Sequence, residues 1–154
     1  MPAYARFGKP AADFVRGGAH VAVHLVPVYK GRIVAFDVSG PASGRWLPWD
    51  LLPYEGNPYE TASELGDDWC DGAVVDLRVV DALSLAAPGE SWELALVFRA
   101  ELAAMPAGDG ARSPVALDAG ELGTVKRFDA TELERWRGSG GGDETKDSGG
   151  KLVF

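Results

Sequence analysis

Four carboxylates between residues 57 and 71 have the spacing of a single helical face. Glu60, Glu64, Asp67 and Asp68 follow one another at i, i+4, i+7 and i+8, and residues at these spacings lie side by side on an α-helix. Like charges so placed repel one another unless a cation lies among them. Because hard divalent cations prefer oxygen ligands, the pattern indicates either a metal site or a solvated acidic face.

The residues before these carboxylates predict where the helix begins. Asn57 can cap it, Pro58 suits its first position, and Glu60 stands three residues after the cap, as in a capping box. We therefore expect a helix from Pro58 to about Asp68, with a loop on either side.

Length, charge and cysteine content limit the function classes. A chain of 154 residues predicts one domain with a core of its own. The net charge of −8 and the pI near 4.7 argue against a nucleic-acid duplex or an anionic membrane as the main partner. A small phosphorylated ligand remains compatible, because a bound metal can reverse the local charge. Cys70, the single cysteine, rules out an intramolecular disulfide. It fits a reducing compartment, so we expect a cytoplasmic protein.

Alternating apolar and polar residues predict an α+β fold in which strands dominate. A second capping signal, Asp129-Ala-Thr-Glu132, predicts a helix that runs through Trp136. The predicted strands cover residues 19–28, 33–38, 73–85, 91–102 and 123–128. The domain should comprise residues 1–137, and residues 138–154 should form a flexible Gly-rich tail that cannot pack a core. No apolar run is long enough to span a bilayer.

The order of these features resembles the Nudix family. The family's box runs Gly, five residues, Glu, seven residues, Arg-Glu-aliphatic, one residue, Glu-Glu, one residue, Gly-aliphatic. Laid on this sequence, its first Glu is Glu55, its Arg-Glu-aliphatic element is Ser63-Glu64-Leu65, and its Glu pair is Asp67-Asp68. Arg45-Trp46-Leu47-Pro48 is similar to the run that precedes the family's glycines. The resemblance implies an α/β/α sandwich with a mixed β-sheet.

The sequence departs from the family's box at several positions, so the box is degenerate. Where the family has Gly, Arg and the final Gly-aliphatic pair, this chain has Trp49, Ser63 and Cys70-Asp71. The Glu pair is replaced by aspartates, whose carboxylates are retracted by about 1.5 Å, the length of one C–C bond. That retraction can cost a ligand, because Mg²⁺ tolerates little distortion from octahedral geometry.

The resemblance also implies a chemistry, the metal-assisted hydrolysis of a diphosphate linked to another group. It makes Glu64, Asp67 and Asp68 the catalytic carboxylates, and these three with Glu55 the ligands of Mg²⁺ or Mn²⁺. Two functions stay open. One is a Nudix-fold protein that binds a nucleotide or other diphosphate ligand with weak or no hydrolase activity. The other is a Mg²⁺-dependent hydrolase of a nucleoside diphosphate linked to another moiety. A homodimer is compatible with either.

Aromatic and basic residues near the helix are candidate ligand contacts. Trp46, Trp49 and Tyr54 crowd the segment before the helix, where they either stack on a flat ligand or cap one end of the sheet. Trp49 could equally occlude the position of a phosphate. Arg45 can hold phosphate oxygens through its guanidinium fork.

Two histidines are the remaining candidates. His20 and His24 lie four residues apart on a predicted strand, so both face the same side of the sheet. We expect a hydrogen-bonded structural pair rather than a metal site, because no third ligand lies nearby in the sequence.

Overall fold

The computed structural model describes residues 19–53, 55–86 and 92–138. The strands are β1 (Ala19–Tyr29), β2 (Arg32–Val38), β3 (Gly44–Trp46), β4 (Trp49–Leu51), β5 (Val74–Ala86), β6 (Trp92–Leu102) and β7 (Arg112–Ala116). The helices are α1 (Pro58–Trp69) and α2 (Ala130–Gly138), and a 3₁₀ helix covers Ala119–Thr124.

The strands form one mixed sheet built around β1. Their order is β3-β2-β1-β6-β5, with β4 pairing with β1 and β7 pairing with β2. β1 is parallel to β6, residues 19–28 against 92–101, and antiparallel to β2 and β4. A parallel pair requires a long crossover connection, and the chain between β1 and β6 supplies α1.

The first hairpin has a two-residue turn at Lys30 and Gly31. Both residues have positive φ, 51° and 79°, as expected of a turn whose twist matches that of the flanking strands. This turn sets the register in which Val28 lies opposite Ile33, so the apolar residues of β1 and β2 face the core together.

Helices cover both faces of the sheet, which confirms the predicted sandwich. Because successive strand residues point to opposite faces, Val23 and Leu25 pack in the α1 layer, while Val26 and Val28 pack in the α2 layer. The α1 layer also contains Val34, Phe36, Ala62, Leu65, Trp69, Cys70, Phe98, Ala100 and Leu102. The α2 layer also contains Ile33, Ala35, Leu47, Val97, Leu117, Leu122, Val125, Phe128, Leu133 and Trp136.

Short strands occupy segments that the sequence predicts to be loops. β3, β4 and β7 are held by pairing with β1 or β2, which lie far from β4 and β7 in the sequence. The strand predicted at residues 123–128 is wrong. The 3₁₀ helix Ala119–Thr124 overlaps the start of this segment. Glu121 Oε1 accepts a hydrogen bond from Asp118 N at 2.7 Å, a capping arrangement that starts a helical turn.

Neither helix of the described residues is long and apolar enough to cross a membrane. Tyr54 and residues 139–154 lie outside the described residues. The ligand contact assigned to Tyr54 and the flexible tail therefore stay predictions.

Candidate functional site

Helix α1 begins where the sequence predicts. The side-chain oxygen of Asn57 accepts hydrogen bonds from Tyr59 N at 2.8 Å and Glu60 N at 3.3 Å, and Pro58 is the first helical residue. These bonds satisfy two of the amide groups that a helix leaves without internal partners. The cap fixes the start of α1 and thereby the direction in which each carboxylate points.

One face of α1 is buried against the sheet. The acidic face, on the other side of the helix, therefore points into solvent. Trp69 packs edge-on against Phe36 of β2, with ring centroids 5.1 Å apart. Gly66 permits close approach to β5, since a Cβ there would lie 2.8 Å from Val74 Cγ2. The buried residues of α1 are Thr61, Ala62, Leu65, Gly66 and Trp69. The carboxylates of the other face are therefore left in solvent.

The acidic face of α1 is paired with an arginine from another element. Glu60, Glu64, Asp67 and Asp68 are all exposed. Asp68 Oδ2 accepts a hydrogen bond from Arg112 Nη2 at 3.3 Å. The Arg112 guanidinium also lies over the Trp69 ring, 3.9 Å from its centroid, within the range of a cation–π contact.

Arg112 is held in place from its backbone. Asp109 Oδ1 accepts hydrogen bonds from Ala111 N at 2.7 Å and Arg112 N at 3.0 Å, which closes a tight turn before β7. β7 then pairs with β2, with Arg112 opposite Val38. The Arg112 guanidinium of β7 is thus held against the C-terminal part of α1, where it contacts Asp68 and Trp69.

The carboxylates predicted to bind a metal do not gather into a metal site. Across residues 19–53, 55–86 and 92–138, no group of three or more His, Cys, Asp or Glu side chains is placed to hold a metal ion. Asp68 is paired with Arg112, and Glu55 lies exposed before α1 with φ 63°. The metal-binding and catalytic roles of Glu55, Glu64, Asp67 and Asp68 stay predictions.

A shallow cavity lies between α1 and the start of β5. It measures about 290 Å³, the lower end of the range for small-molecule sites. Its lining is formed by Tyr59, Ser63, Asp67, Gly72, Val74, Val75, Asp76 and Leu77. The cavity therefore places one predicted site residue, Asp67, and the box's substituted Ser63 at the same opening.

Trp46 and Trp49 are not placed to stack on a ligand. Their side chains are only 6% and 2% exposed and pack with Ala22 and Leu51 in a small core cluster. Trp49 stacks on His24, with ring centroids 5.7 Å apart, which places it on the α2 face of the sheet, away from α1. The two tryptophans close one end of the sheet, which is the alternative that the sequence left open.

Arg45, the other predicted ligand contact, is engaged within the protein. Its Nε donates to Asp37 Oδ1 at 2.8 Å, its Nη2 to Asp37 Oδ2 at 3.2 Å, and its Nη1 to Thr124 Oγ1 at 3.0 Å. The bidentate bond to Asp37 raises the Arg45 pKa further above its ordinary value. Arg45 joins β3, β2 and the 3₁₀ helix, and its role toward a phosphate stays a prediction.

A buried ionic network lies beneath the tryptophans, and sequence reasoning did not find its centre. Glu93 is fully buried. Its Oε2 lies 2.9 Å from His24 Nε2, and its Oε1 lies 3.0 Å from Arg127 Nη2. The predicted structural role of His24 is confirmed. The signal for Glu93 was present, because a carboxylate followed by the apolar run of β6 requires a partner if it is buried.

Cys70 is a buried thiol with no nucleophilic character. Burial, and secondarily the charge of Asp71, raises its pKa to about 12. A thiol that stays protonated at neutral pH is neither a nucleophile nor a metal ligand. The chemistry available near α1 is therefore that of its carboxylates and of Arg112.

Solved structures share this architecture, although no family model and no curated protein matches the sequence. The MutT protein from Methanosarcina mazei Go1 superposes with a TM-score of 0.64 at 12% identity, over 80% of this chain and 96% of that one. A NUDIX hydrolase from Nitrosomonas europaea gives 0.62 at 9% identity, over 77% and 87%. An ADP compounds hydrolase gives 0.51 at 15% identity, over 67% and 60%. The chain has a Nudix-like fold.

At two substituted positions of the Nudix-like box, the backbone does not need the family's glycine. Trp49, where the family has glycine, lies in β4 opposite His24, so this backbone needs no positive φ. The left-handed turn after α1 is made by Asp71 and Gly72, with φ 57° and 72°. Gly72 N donates to Gly66 O at 3.2 Å and closes the helix. The Nudix-like helix thus ends properly without the family's final glycine.

Proposed function

We propose that this chain is a Nudix-fold protein that binds a nucleotide or another diphosphate ligand and has weak or no hydrolase activity. The fold is shared with structures named MutT and NUDIX hydrolase, but fold alone does not establish a reaction. The proposal includes a cytoplasmic location and a small phosphorylated partner.

The observation that carries the proposal is the ion pair of Arg112. A metal-dependent site needs at least one or two carboxylates whose oxygens are free to bind the cation. Here the guanidinium of Arg112 already pairs with Asp68 and lies over the Trp69 ring. The acidic face therefore has a protein cation of its own, and Asp68 Oδ2 is already engaged by that contact.

A second candidate, the Mg²⁺-dependent hydrolase, rests on the rest of the same face. Glu64 and Asp67 are exposed, and Asp67 borders the cavity beside β5. Two accessible carboxylates are enough to begin recruiting Mg²⁺, which commonly binds through one or two carboxylates and the phosphates of its substrate.

A metal-dependent melt separates the two candidates. The wild-type protein should melt at the same temperature in MgCl₂ and in NaCl of matched ionic strength. Arg112→Gln, which releases Asp68, should show additional stabilisation in MgCl₂. A ligand at a hundred times its dissociation constant stabilises the fold by about 2.7 kcal/mol. Arg32→Gln is the matched control, because Arg32 forms a distant exposed ion pair with Asp118 at 2.7 Å.

Ligand binding and turnover complete the test. We expect ADP, GDP or UDP to bind in calorimetry with EDTA present, and Mg²⁺ to yield little or no hydrolysis above background. Saturable Mg²⁺ stabilisation and turnover in the wild type, both lost in Glu64→Gln, would establish the hydrolase instead. If no nucleotide binds with or without metal, both candidates are wrong.

A further inference from the structure

Strand β5 ends the sheet with a segment that is complementary to itself. In the part of the chain that the structure describes, β5 pairs with β6 on one side and terminates the strand order on the other. The segment Val75-Asp76-Leu77-Arg78-Val79 has the same chemical pattern in both directions, except that its two charges are opposite in sign. Opposite charges at mirror positions are what an antiparallel pair of identical strands requires.

We propose that β5 pairs antiparallel with β5 of a second copy of this chain, about a two-fold axis at Leu77. In that register Leu77 lies opposite the partner's Leu77, Asp76 opposite the partner's Arg78, and Val75 opposite the partner's Val79. Each protomer then contributes one charge to each of two symmetric ion pairs. The sheet of one protomer continues into the sheet of the other.

The faces of β5 agree with this register. Asp76 and Arg78 lie opposite Glu101 and Arg99 of β6, on the α2 face of the sheet, whereas Leu77 lies opposite Ala100, on the α1 face. Residues opposite one another in a strand pair share a face. The two charged pairs of the dimer would therefore form on one face, and the Leu77 contact on the other.

Exposure of this edge is consistent with a partner. Val75 and Val79 are 65% and 38% exposed, although both are apolar. The Asp76 and Arg78 side chains are 46% and 45% exposed and bond to each other along the strand, with Arg78 Nη2 2.8 Å from Asp76 Oδ2. Charges on an edge strand usually prevent pairing, but here each charge finds its opposite on the identical strand.

Irregularities in β5 flank the centre of this segment, and the first of them includes Val75. The register to β6 shifts between Val74 and Asp76 and again between Val79 and Asp81. Residues 76–79 between the shifts stay in regular register. An edge strand can add a partner only where its outward amide and carbonyl groups alternate regularly, and this stretch is centred close to the proposed axis.

Charge reversal on β5 tests the pairing. The molar mass of the full chain in solution is measured by light scattering or sedimentation over a range of concentrations. The wild type should show a monomer–dimer equilibrium. Asp76→Arg alone and Arg78→Asp alone should each weaken the dimer at least about tenfold, since two attractive cross-strand pairs become repulsive. Lys30→Asp is the charge control for Arg78→Asp, because it replaces a positive by a negative side chain at the β1–β2 turn, away from β5.

Two rescue experiments make the register itself testable. The double variant Asp76→Arg with Arg78→Asp restores opposite charges across the axis and should dimerise as the wild type does. An equimolar mixture of the two single variants should form a heterodimer, because one strand is then wholly positive and the other wholly negative. A wild type that stays monomeric, single variants that dimerise unchanged, or a double variant and mixture that fail to associate would each overturn the proposal.

Discussion

At the scale of single residues, the buried His24–Glu93–Arg127 network is the arrangement that depends most on the pairing of its polar groups. A carboxylate without solvent is tolerable only when it is paired and hydrogen-bonded, and Glu93 has both His24 and Arg127 within 3.0 Å. Arg127 has φ 82°, a conformation that costs a non-glycine residue about 1–2 kcal/mol. The ion pair to Glu93 fixes the side chain of this strained residue.

Burial sets the protonation of the network. It is the largest influence on His24 and lowers its pKa below 6.5, although the hydrogen bond to Glu93 opposes this. Burial alone would raise the pKa of Glu93, but the hydrogen bond and charge of His24, followed by the charge and hydrogen bond of Arg127, outweigh it and lower that pKa. A neutral imidazole that donates Nε2–H to an ionised carboxylate satisfies both shifts.

The stability of the protein should therefore fall as the pH drops below about 6.5. The unfolded chain binds a proton at His24 in this range and the folded chain does not, so the free energy of unfolding decreases by up to about 1.4 kcal/mol per pH unit. Glu93 adds to the loss below about 4.5, because its folded pKa is also depressed. Urea unfolding at pH 5 to 8 measures the slope.

Substitution identifies which histidine causes the loss of stability at low pH. His24→Gln keeps an N–H donor for Glu93 but removes the titration, so its slope between pH 6.5 and 5 should be flatter than in the wild type. His20→Gln removes an imidazole from the same strand and leaves the 2.9 Å contact of His24 with Glu93 in place. A slope that survives in His24→Gln but disappears in His20→Gln would contradict the assignment.

At the scale of elements, helix α1 depends on its N-cap residue, Asn57, more than on its charges. Its acidic face brings repulsion, and its last turn contains no basic residue. Asn57 stabilises the start of the helix through two hydrogen bonds. Asn57→Ala should lower the free energy of unfolding by about 1 kcal/mol, measured by urea unfolding. Asn57→Asp retains the acceptor and should be near neutral, whereas equal losses in both variants would show that the cap contributes nothing.

Elements that carry their own local signals could be predicted from the sequence. The Asn57-Pro58 start and the Asp129 cap each depend on residues within a few positions, and the structure confirms both. β7 and β4 carry no such signal, because partners more than 20 residues away create them. The strand predicted at residues 123–128 likewise left out the 3₁₀ helix Ala119–Thr124, in which Glu121 Oε1 accepts a hydrogen bond from Asp118 N.

The candidate site could be predicted only in part, because local spacing is visible in the sequence but pairing between distant segments is not. The spacing of the carboxylates follows from helical geometry, so their common exposed face could be derived. The Arg112 pair could not, since it requires β7 to lie along β2 and bring a guanidinium to Asp68. The tryptophans were placed beside the helix by sequence proximity, but strand pairing of β4 with β1 puts Trp49 on the opposite face of the sheet.

At the scale of the whole molecule, the described fold ends at α2, and the last residues of that helix belong to the body. Arg137 O accepts a hydrogen bond from Arg99 Nε at 3.2 Å, and Arg137 Nη1 donates to Gly31 O at 3.2 Å. Residues 139–154 are rich in Gly and polar residues, a composition that cannot offset the entropy of ordering the chain. The boundary of the domain should therefore lie close to Gly138.

Truncation locates that boundary. Removing residues 139–154 should change the melting temperature by less than about 2 °C, because about 1 kcal/mol shifts it by about 2–4 °C in a domain of this size. Removing residues 137–154 should lower it further, since the hydrogen bonds of Arg137 to Arg99 and Gly31 are then lost. Thermal melts of the two truncated chains and the full chain make the comparison. A drop of several degrees in the first truncation would show that the apolar end, Leu152 to Phe154, packs on the body. Equal melting temperatures for both truncations would place the boundary before Arg137.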